Sequence, residues 1–200
     1  MKLIVITTEH FFEGEAAVLN ALFERGMEIL HLRKPGSTET ELKNLIEQID
    51  ERFHKRIVLH DHYSLINIFR LKGIHLNNRN RQQPVHVSCS ISRSCHSIGE
   101  LENITGYEYV FLSPIFDSIS KIGYKKAFSE MELMKAKQDN IINEKVIALG
   151  GITPENIAQI RSYGFGGVAV LGGIWGDLEI TGVLQRFENY KNERFIIHNS

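Results

Sequence analysis

The sequence predicts an α/β chain in which eight parallel strands close into a single compact (β/α)8 barrel. Three observations predict it. Short β-branched runs alternate with helical patterns along the whole chain, the signature of strands joined by crossover helices. Two consecutive runs near the C-terminal end, Val146–Leu149 and Val168–Leu171, each finish in a glycine pair, Gly150-Gly151 and Gly172-Gly173. The 200 residues, 42% of them hydrophobic, suffice for one domain with a real core and sit at the floor of about 200 residues for such barrels. One domain is therefore expected over residues 1–200. A doubly wound open sheet is the alternative, but its first turn should carry GxGxxG, and here the chain reads Thr7-Thr8-Glu9-His10.

In chain order the expected strands are Leu3–Thr7, Glu28–Leu32, Arg56–Leu59, Gly73–Leu76, His86–Ser90, Tyr109–Leu112, Val146–Leu149 and Val168–Val170. Helical patterns lie between them around Glu15–Arg25, Glu39–Phe53, Ser64–Leu71, Ser97–Ile104, Ser129–Lys137 and Asn156–Tyr163, with a last one near Leu184–Asn192. Between Leu76 and His86 the stretch NNRNRQQPV is too short and polar for a full helix, so the fourth crossover is shortened. The best-marked unit runs from Lys145 to Gly176. Thr153 is placed as N-cap, Pro154 takes the first helical position, and Gly164 or Gly166 ends the helix.

Composition excludes several roles. A formal charge of -1 gives no general pull toward nucleic acid or a membrane surface. No apolar run approaches twenty residues, and no basic-then-apolar leader opens the chain, so a cytoplasmic location is expected. Cys89 and Cys95 are two cysteines without a CxxC, read as reduced thiols.

In a barrel the carboxyl ends of all strands meet at one mouth. His31 and Arg33 end the second strand, His60 and Asp61 the third, Ser94 follows the fifth, and Ser118, Ser120 and Lys121 follow the sixth. His31 and Arg33 are two apart and so point the same way. Singly, a strand-end arginine is more often a solvated charge and a strand-end histidine a satisfied core residue; it is their convergence that suggests a site. Arg33 offers a planar fork and Lys121 a mobile charge, both suited to phosphoryl oxygens. Asp61 among cations suits either a divalent ion such as Mg2+ or an ion pair with Arg33 or Lys121. The two glycine pairs suit either amides that cradle phosphate or close helix–strand packing. His60-x-His62 has zinc-pair spacing but no third ligand.

With these residues stands a wider series: His31-Leu-Arg33, His60-Asp61, Gly73-Ile-His75, Ser94-Cys-His96-Ser97, SPIFDSISK over 113–121, Ala148-Leu-Gly150-Gly151-Ile152-Thr153-Pro154-Glu155-Asn156 and Gly167-Val-Ala-Val. The series resembles the thiamine phosphate synthase and thiazole tautomerase (TenI-like) superfamily over nearly the whole chain. The resemblance implies a transferase of thiamine biosynthesis that joins hydroxymethylpyrimidine diphosphate to a thiazole phosphate and releases pyrophosphate. It implies Mg2+ as cofactor and electrostatic stabilisation of the leaving diphosphate.

Carried over residue by residue, the resemblance gives Arg33, Lys121 and Ser94 as the catalytic set. Arg33 matches a diphosphate-binding arginine, Ser94 a serine near the pyrophosphate, and Lys121 a lysine that bridges the substrates. Asp61 matches one Mg2+ carboxylate. His31 stands for a glutamine and His60 for an asparagine at the substrate, while Ser118 and Ser120 replace threonines around the thiazole phosphate. Gly151 matches a glycine whose backbone meets that phosphate, with Leu171 and Gly172 in the positions of an Ile-Ser pair. Three positions depart from the pattern. Pro35 replaces a second diphosphate lysine, with Lys34 adjacent; Asn80 replaces the second Mg2+ aspartate; and Gly172 replaces the serine. The departures fall mostly on the diphosphate half, which also suits a thiazole tautomerase, although that group's catalytic histidine corresponds to Pro114 here. A noncatalytic barrel that binds a thiazole phosphate or thiamine phosphate is the remaining alternative. Barrels of this size often pair through helical faces, which makes a homodimer the assembly to consider.

Overall fold

The computed structural model describes residues 1–84, 88–117 and 126–193. Eight parallel strands close into one barrel: β1 (Lys2–Ile6), β2 (Ile29–Leu32), β3 (Ile57–Leu59), β4 (Gly73–Leu76), β5 (Ser90–Cys95), β6 (Tyr109–Leu112), β7 (Val146–Leu149) and β8 (Gly167–Val170). Each pairs with the next, and β8 returns to β1 with Val5 opposite Val170. The helices are α1 (Glu15–Glu24), α2 (Glu39–Glu47), α3 (Leu65–Phe69), α4 (Glu130–Gln138), α5 (Ile157–Ser162), α6 (Gly172–Trp175) and α7 (Ile180–Glu193). None is long and apolar enough to cross a membrane among the described residues.

Local sequence explains where these elements begin and end. Thr38 accepts the Glu41 amide while Glu41 reaches back to the Thr38 amide, a reciprocal cap that starts α2; Ser129 and Glu132 do the same for α4. The helix expected over Glu39–Phe53 is broken. Asp50 accepts the Arg52 amide at 3.0 Å and so caps a separate 3-10 turn over Glu51–Arg56. The helix expected over Ser97–Ile104 is likewise a 3-10 turn, Gly99–Asn103. Gly164, at φ +83, follows the end of α5, so it is the first of the two candidate glycines that stops this helix.

The fifth strand is shifted from its expected place. It runs over Ser90–Cys95 instead of His86–Ser90, with Gly73 opposite Ser90 and Leu76 opposite Arg93; residues 85–87 lie outside the described residues. Gly73 permits that approach, because a Cβ there would sit 2.2 Å from the Ser90 carbonyl oxygen. No helix occurs among the described residues between β4 and β5, in keeping with a shortened fourth crossover.

Two apolar layers follow from the period of two along each strand. Leu3, Val5, Leu30, Leu32, Leu59, Val110, Leu112 and Val168 face outward and pack with helix residues such as Leu19, Leu22, Leu45 and Ile160. Ile4, Ile6, Ile29, Val58, Tyr109, Phe111, Ile147 and Ala169 fill the barrel interior. Full burial of one such side chain contributes roughly 1.5–3 kcal/mol, so the outer layer, with many more members, carries most of the stability. The inner layer is sparse enough to admit polar groups: His31, His75 and Ser92 are fully buried beside it.

Candidate active site

At the carboxyl ends of the strands a cavity of ≈ 290 Å³ opens. Ile6, Phe111, Leu149 and Leu171 give it an apolar wall continuous with the barrel interior, and Arg33, His60, Arg79, Ser94 and His96 give it a polar one. Of the residues expected at the mouth, Arg33, His60, Ser94 and Leu171 line this one cavity. Ser118, Ser120 and Lys121 lie outside the described residues. The ends of their segment are held by Asp117, whose carboxylate accepts the Lys126 amide at 2.7 Å.

The two cations after β2 have opposite surroundings. Arg33 is anchored through its main chain, its amide donating to Thr7 Oγ1 at 2.9 Å, while its guanidinium reaches Glu9 at 2.8 Å and stays partly exposed. Lys34, the residue adjacent to the missing diphosphate lysine, points the other way. It is 1% exposed and donates to Glu15 at 2.6 Å and to the His10 carbonyl at 2.8 Å. Burial pulls the Lys34 ammonium below its ordinary range and pushes the Glu15 carboxyl up, each opposed by their mutual attraction. Lys34 thus ties the β1–α1 loop to β2 and does not stand in for the lysine that Pro35 replaces.

After β3, Asp61 is paired among the described residues with Arg79 and not with Arg33, whose guanidinium goes to Glu9; Lys121, the other cation expected, lies outside the described residues. Arg79 reaches the Asp61 carboxylate at 3.3 Å, and Asn80 donates to Asp61 Oδ1 at 2.8 Å and to the His60 carbonyl at 3.0 Å. Two acceptors demand the NH2 end of the Asn80 amide, so its oxygen, the group a cation would need, is turned from Asp61. The donor set therefore fits a Mg2+ ion held by a single carboxylate, with phosphate oxygens and water completing the shell, and not a two-ligand protein cage. His62 leaves any zinc pair with His60, since its Nε2 bonds the Ser37 carbonyl at 2.7 Å and its backbone is left-handed at φ +52.

His31 lies under the mouth, not in it. It is 0% exposed, with Nδ1 2.8 Å from His60 Nε2 and Nε2 2.8 Å from the Tyr109 hydroxyl. His75 stacks on His60 with ring centres 4.3 Å apart; its Nδ1 meets Ser92 Oγ and its Nε2 meets Ser94 Oγ, both at 2.9 Å. Burial holds all three imidazoles well below their ordinary value of 6.5, His75 at about 3, so all three are neutral at pH 7. Sequence reading names His75 only within the resemblance series, with no role at the site, and gives none to Ser92 or Tyr109. Their signal was a run of polar residues at inward positions on β2, β4, β5 and β6.

The opposite arc is built from main chain. Gly151 has φ +64, and a Cβ there would lie 2.3 Å from the Asp117 carbonyl oxygen. After β8, Gly172 opens the single turn α6, which Trp175 fastens to β1 by donating its indole N–H to the Ile6 carbonyl at 2.7 Å. Tyr190 of α7 joins the two glycine turns. Its hydroxyl donates to the Ile152 carbonyl at 2.8 Å and sits where a Cβ on Gly173 would be, 2.0 Å away. Packing needs Gly150, Gly151 and Gly173 small, and Leu149 and Leu171, the residues just before the two pairs, line the cavity.

Comparison with known proteins gives this arrangement a context. The model of the thiamine monophosphate synthase family matches residues 3–174. A crystal structure of thiamine phosphate pyrophosphorylase from Bacteroides thetaiotaomicron is 40% identical and covers 100% of both chains, with a TM-score of 0.91. Thiamine-phosphate synthase from Actinobacillus succinogenes is 27% identical over 84% of this chain and 83% of its own. Thiamine phosphate pyrophosphorylase from Pyrococcus furiosus, at 18% identity and a TM-score of 0.77, shares the fold over 96% of this chain and 95% of its own.

Proposed function

Because the chain belongs to the thiamine monophosphate synthase family, we infer that it is a thiamine-phosphate synthase, a transferase that joins hydroxymethylpyrimidine diphosphate to a thiazole phosphate. The carbon–oxygen bond to the diphosphate breaks, its electron pair leaves with pyrophosphate, and the lone pair of the thiazole nitrogen forms the new carbon–nitrogen bond. One observation carries this reading beyond family membership. A single cavity offers an apolar wall for an aromatic ring beside the guanidinium groups of Arg33 and Arg79, across the barrel from two glycine turns.

In this reading Arg33 and Arg79 hold the diphosphate oxygens, and their charge stabilises the leaving group as the carbon–oxygen bond stretches. Phe111, Ile6 and Leu149 exclude water from the cationic carbon that develops, and the turns at Gly151 and Gly172 hold the thiazole phosphate. Ser94 orients the substrate at the mouth, and Lys121, Ser118 and Ser120 are proposed on the resemblance of their segment. Mg2+ would be held by Asp61 and would neutralise charge on the departing pyrophosphate. Pro114 gives no support to the tautomerase alternative, because it offers no titratable group and packs beside Gly150, where a Cβ would be 2.9 Å from it. A cytoplasmic setting accords with Cys89 and Cys95 as free thiols, and exposed Met131 on α4 suits pairing of two copies.

The test is pyrophosphate release. It should require both substrates together with Mg2+ and fail with either substrate alone. Binding of the thiazole phosphate without any pyrophosphate release would overturn the transferase in favour of a binding-only barrel.

A further inference from the structure

The buried polar chain under the cavity ends in two groups at the mouth, His60 and Ser94. Its protons can be counted. Ser92 has one hydroxyl proton, and its oxygen lies 3.3 Å from the Ile74 carbonyl, which can only accept. With the Ser92 hydroxyl donating to that carbonyl, Ser92 accepts from His75 Nδ1–H at 2.9 Å, and His75 presents a bare Nε2 to Ser94. The Ser94 hydroxyl must donate inward to that nitrogen, which leaves only its lone pairs for the cavity.

The second branch starts at Tyr109, 0% exposed, whose hydroxyl is 2.8 Å from His31 Nε2. Ser92, its partner across the β5–β6 ladder, already accepts one hydrogen bond and donates another, so the bare imidazole nitrogen is the stronger acceptor for the phenol. His31 then holds its proton on Nδ1 and donates to His60 Nε2, which leaves His60 protonated on Nδ1. Among the described residues no partner takes that N–H, and His60 lines the cavity.

The three histidines do not suit a metal, although their nitrogens lie within 4.8 Å of one another. The rings of His60 and His75 are stacked at 23°, so an ion in the plane of one would lie far out of the plane of the other. His31 and His75 also have both nitrogens engaged.

We propose that this chain fixes a donor–acceptor pair at the mouth, His60 Nδ1–H beside Ser94 Oγ, that reads the edge of an aminopyrimidine, whose ring nitrogen accepts and whose exocyclic amino group donates. The proposal rests on the transferase reading and deepens it. His60 and Ser94 touch the substrate, while Tyr109, His31 and His75 are positioning residues that act by setting tautomers.

Histidine-labelled protein and long-range proton–nitrogen correlation spectra report which ring nitrogen is protonated. In the intact protein His31, His60 and His75 should all be Nδ1–H. In Tyr109→Phe, His60 should become a mixture of tautomers, and KM for the pyrimidine diphosphate should rise about tenfold with kcat little changed, the loss of one hydrogen bond. Independently, the wild type should favour the aminopyrimidine diphosphate over its des-amino analogue by about tenfold, and Ser94→Ala should remove that preference. An Nε2–H tautomer at His60 in the wild type, or an unchanged preference in Ser94→Ala, overturns the proposal. The tautomers are read without turnover. Absent pyrophosphate release with the expected tautomers would therefore strike the transferase reading and not the chain.

Discussion

The two arcs of the barrel mouth are built on opposite plans. From β2 to β4 the polar groups are side chains that hold other side chains of the protein, Arg33 with Glu9 at 2.8 Å and Arg79 with Asp61 at 3.3 Å. From β7 to β8 they are main-chain groups whose surroundings permit one conformation, with Gly151 hemmed in by Asp117 and Gly173 by Tyr190. The first arc is conditional: an anion that binds there must displace an internal carboxylate, so its affinity answers to salt and to that competitor. The second is preorganised and loses little freedom on binding.

The strongest test of that contrast is Gly151→Ala. Positive φ combined with a 2.3 Å contact should cost about 2–4 kcal/mol in urea denaturation and weaken thiazole phosphate binding with it. A wild-type midpoint would show that the second arc is not locked. On the conditional arc, Arg33→Ala should leave stability within about 0.5 kcal/mol but lower diphosphate affinity by ~1.5–3 kcal/mol, ten- to over a hundredfold by calorimetric titration. Unchanged affinity would remove Arg33 from the site. The smallest effect is expected from Glu9→Gln, which takes away the competing charge. Diphosphate should bind up to about fivefold more tightly, roughly 1 kcal/mol, with the gain fading as salt is raised toward ~1 M. Weaker binding would mean instead that Glu9 orients the guanidinium.

The closed sheet was legible because alternation and length are properties of each short window, and the glycine pairs mark strand ends wherever they occur. Pairings were harder to read. Asp61 is matched by Arg79, eighteen positions later and beyond α3 and β4, a distance that no local spacing encodes. Lys34 looked adjacent to the site, yet the period of two sends it to the face opposite Arg33, where Glu15 awaits it. For His31 the same period gave the right direction and the wrong depth: it lies inside β2, opposite Val58 of β3, while Arg33 lies just past the strand end. The fifth strand is expected over His86–Ser90, and the polar sequence Ser92-Arg93-Ser94 of the observed β5 hides two members of the buried chain. Their convergence with Tyr109 and His75 exists only once the sheet closes.

Tyr190 lies 38 positions beyond the carbonyl it grips, in the final helix. A chain emerging from the ribosome has all eight strands by Val170, yet it still lacks the wedge that clamps the loops after β7 and β8 together. Competence to hold a ligand therefore arrives after the barrel does. A truncation ahead of Tyr190 should give a vessel with an intact wall and a loose lip.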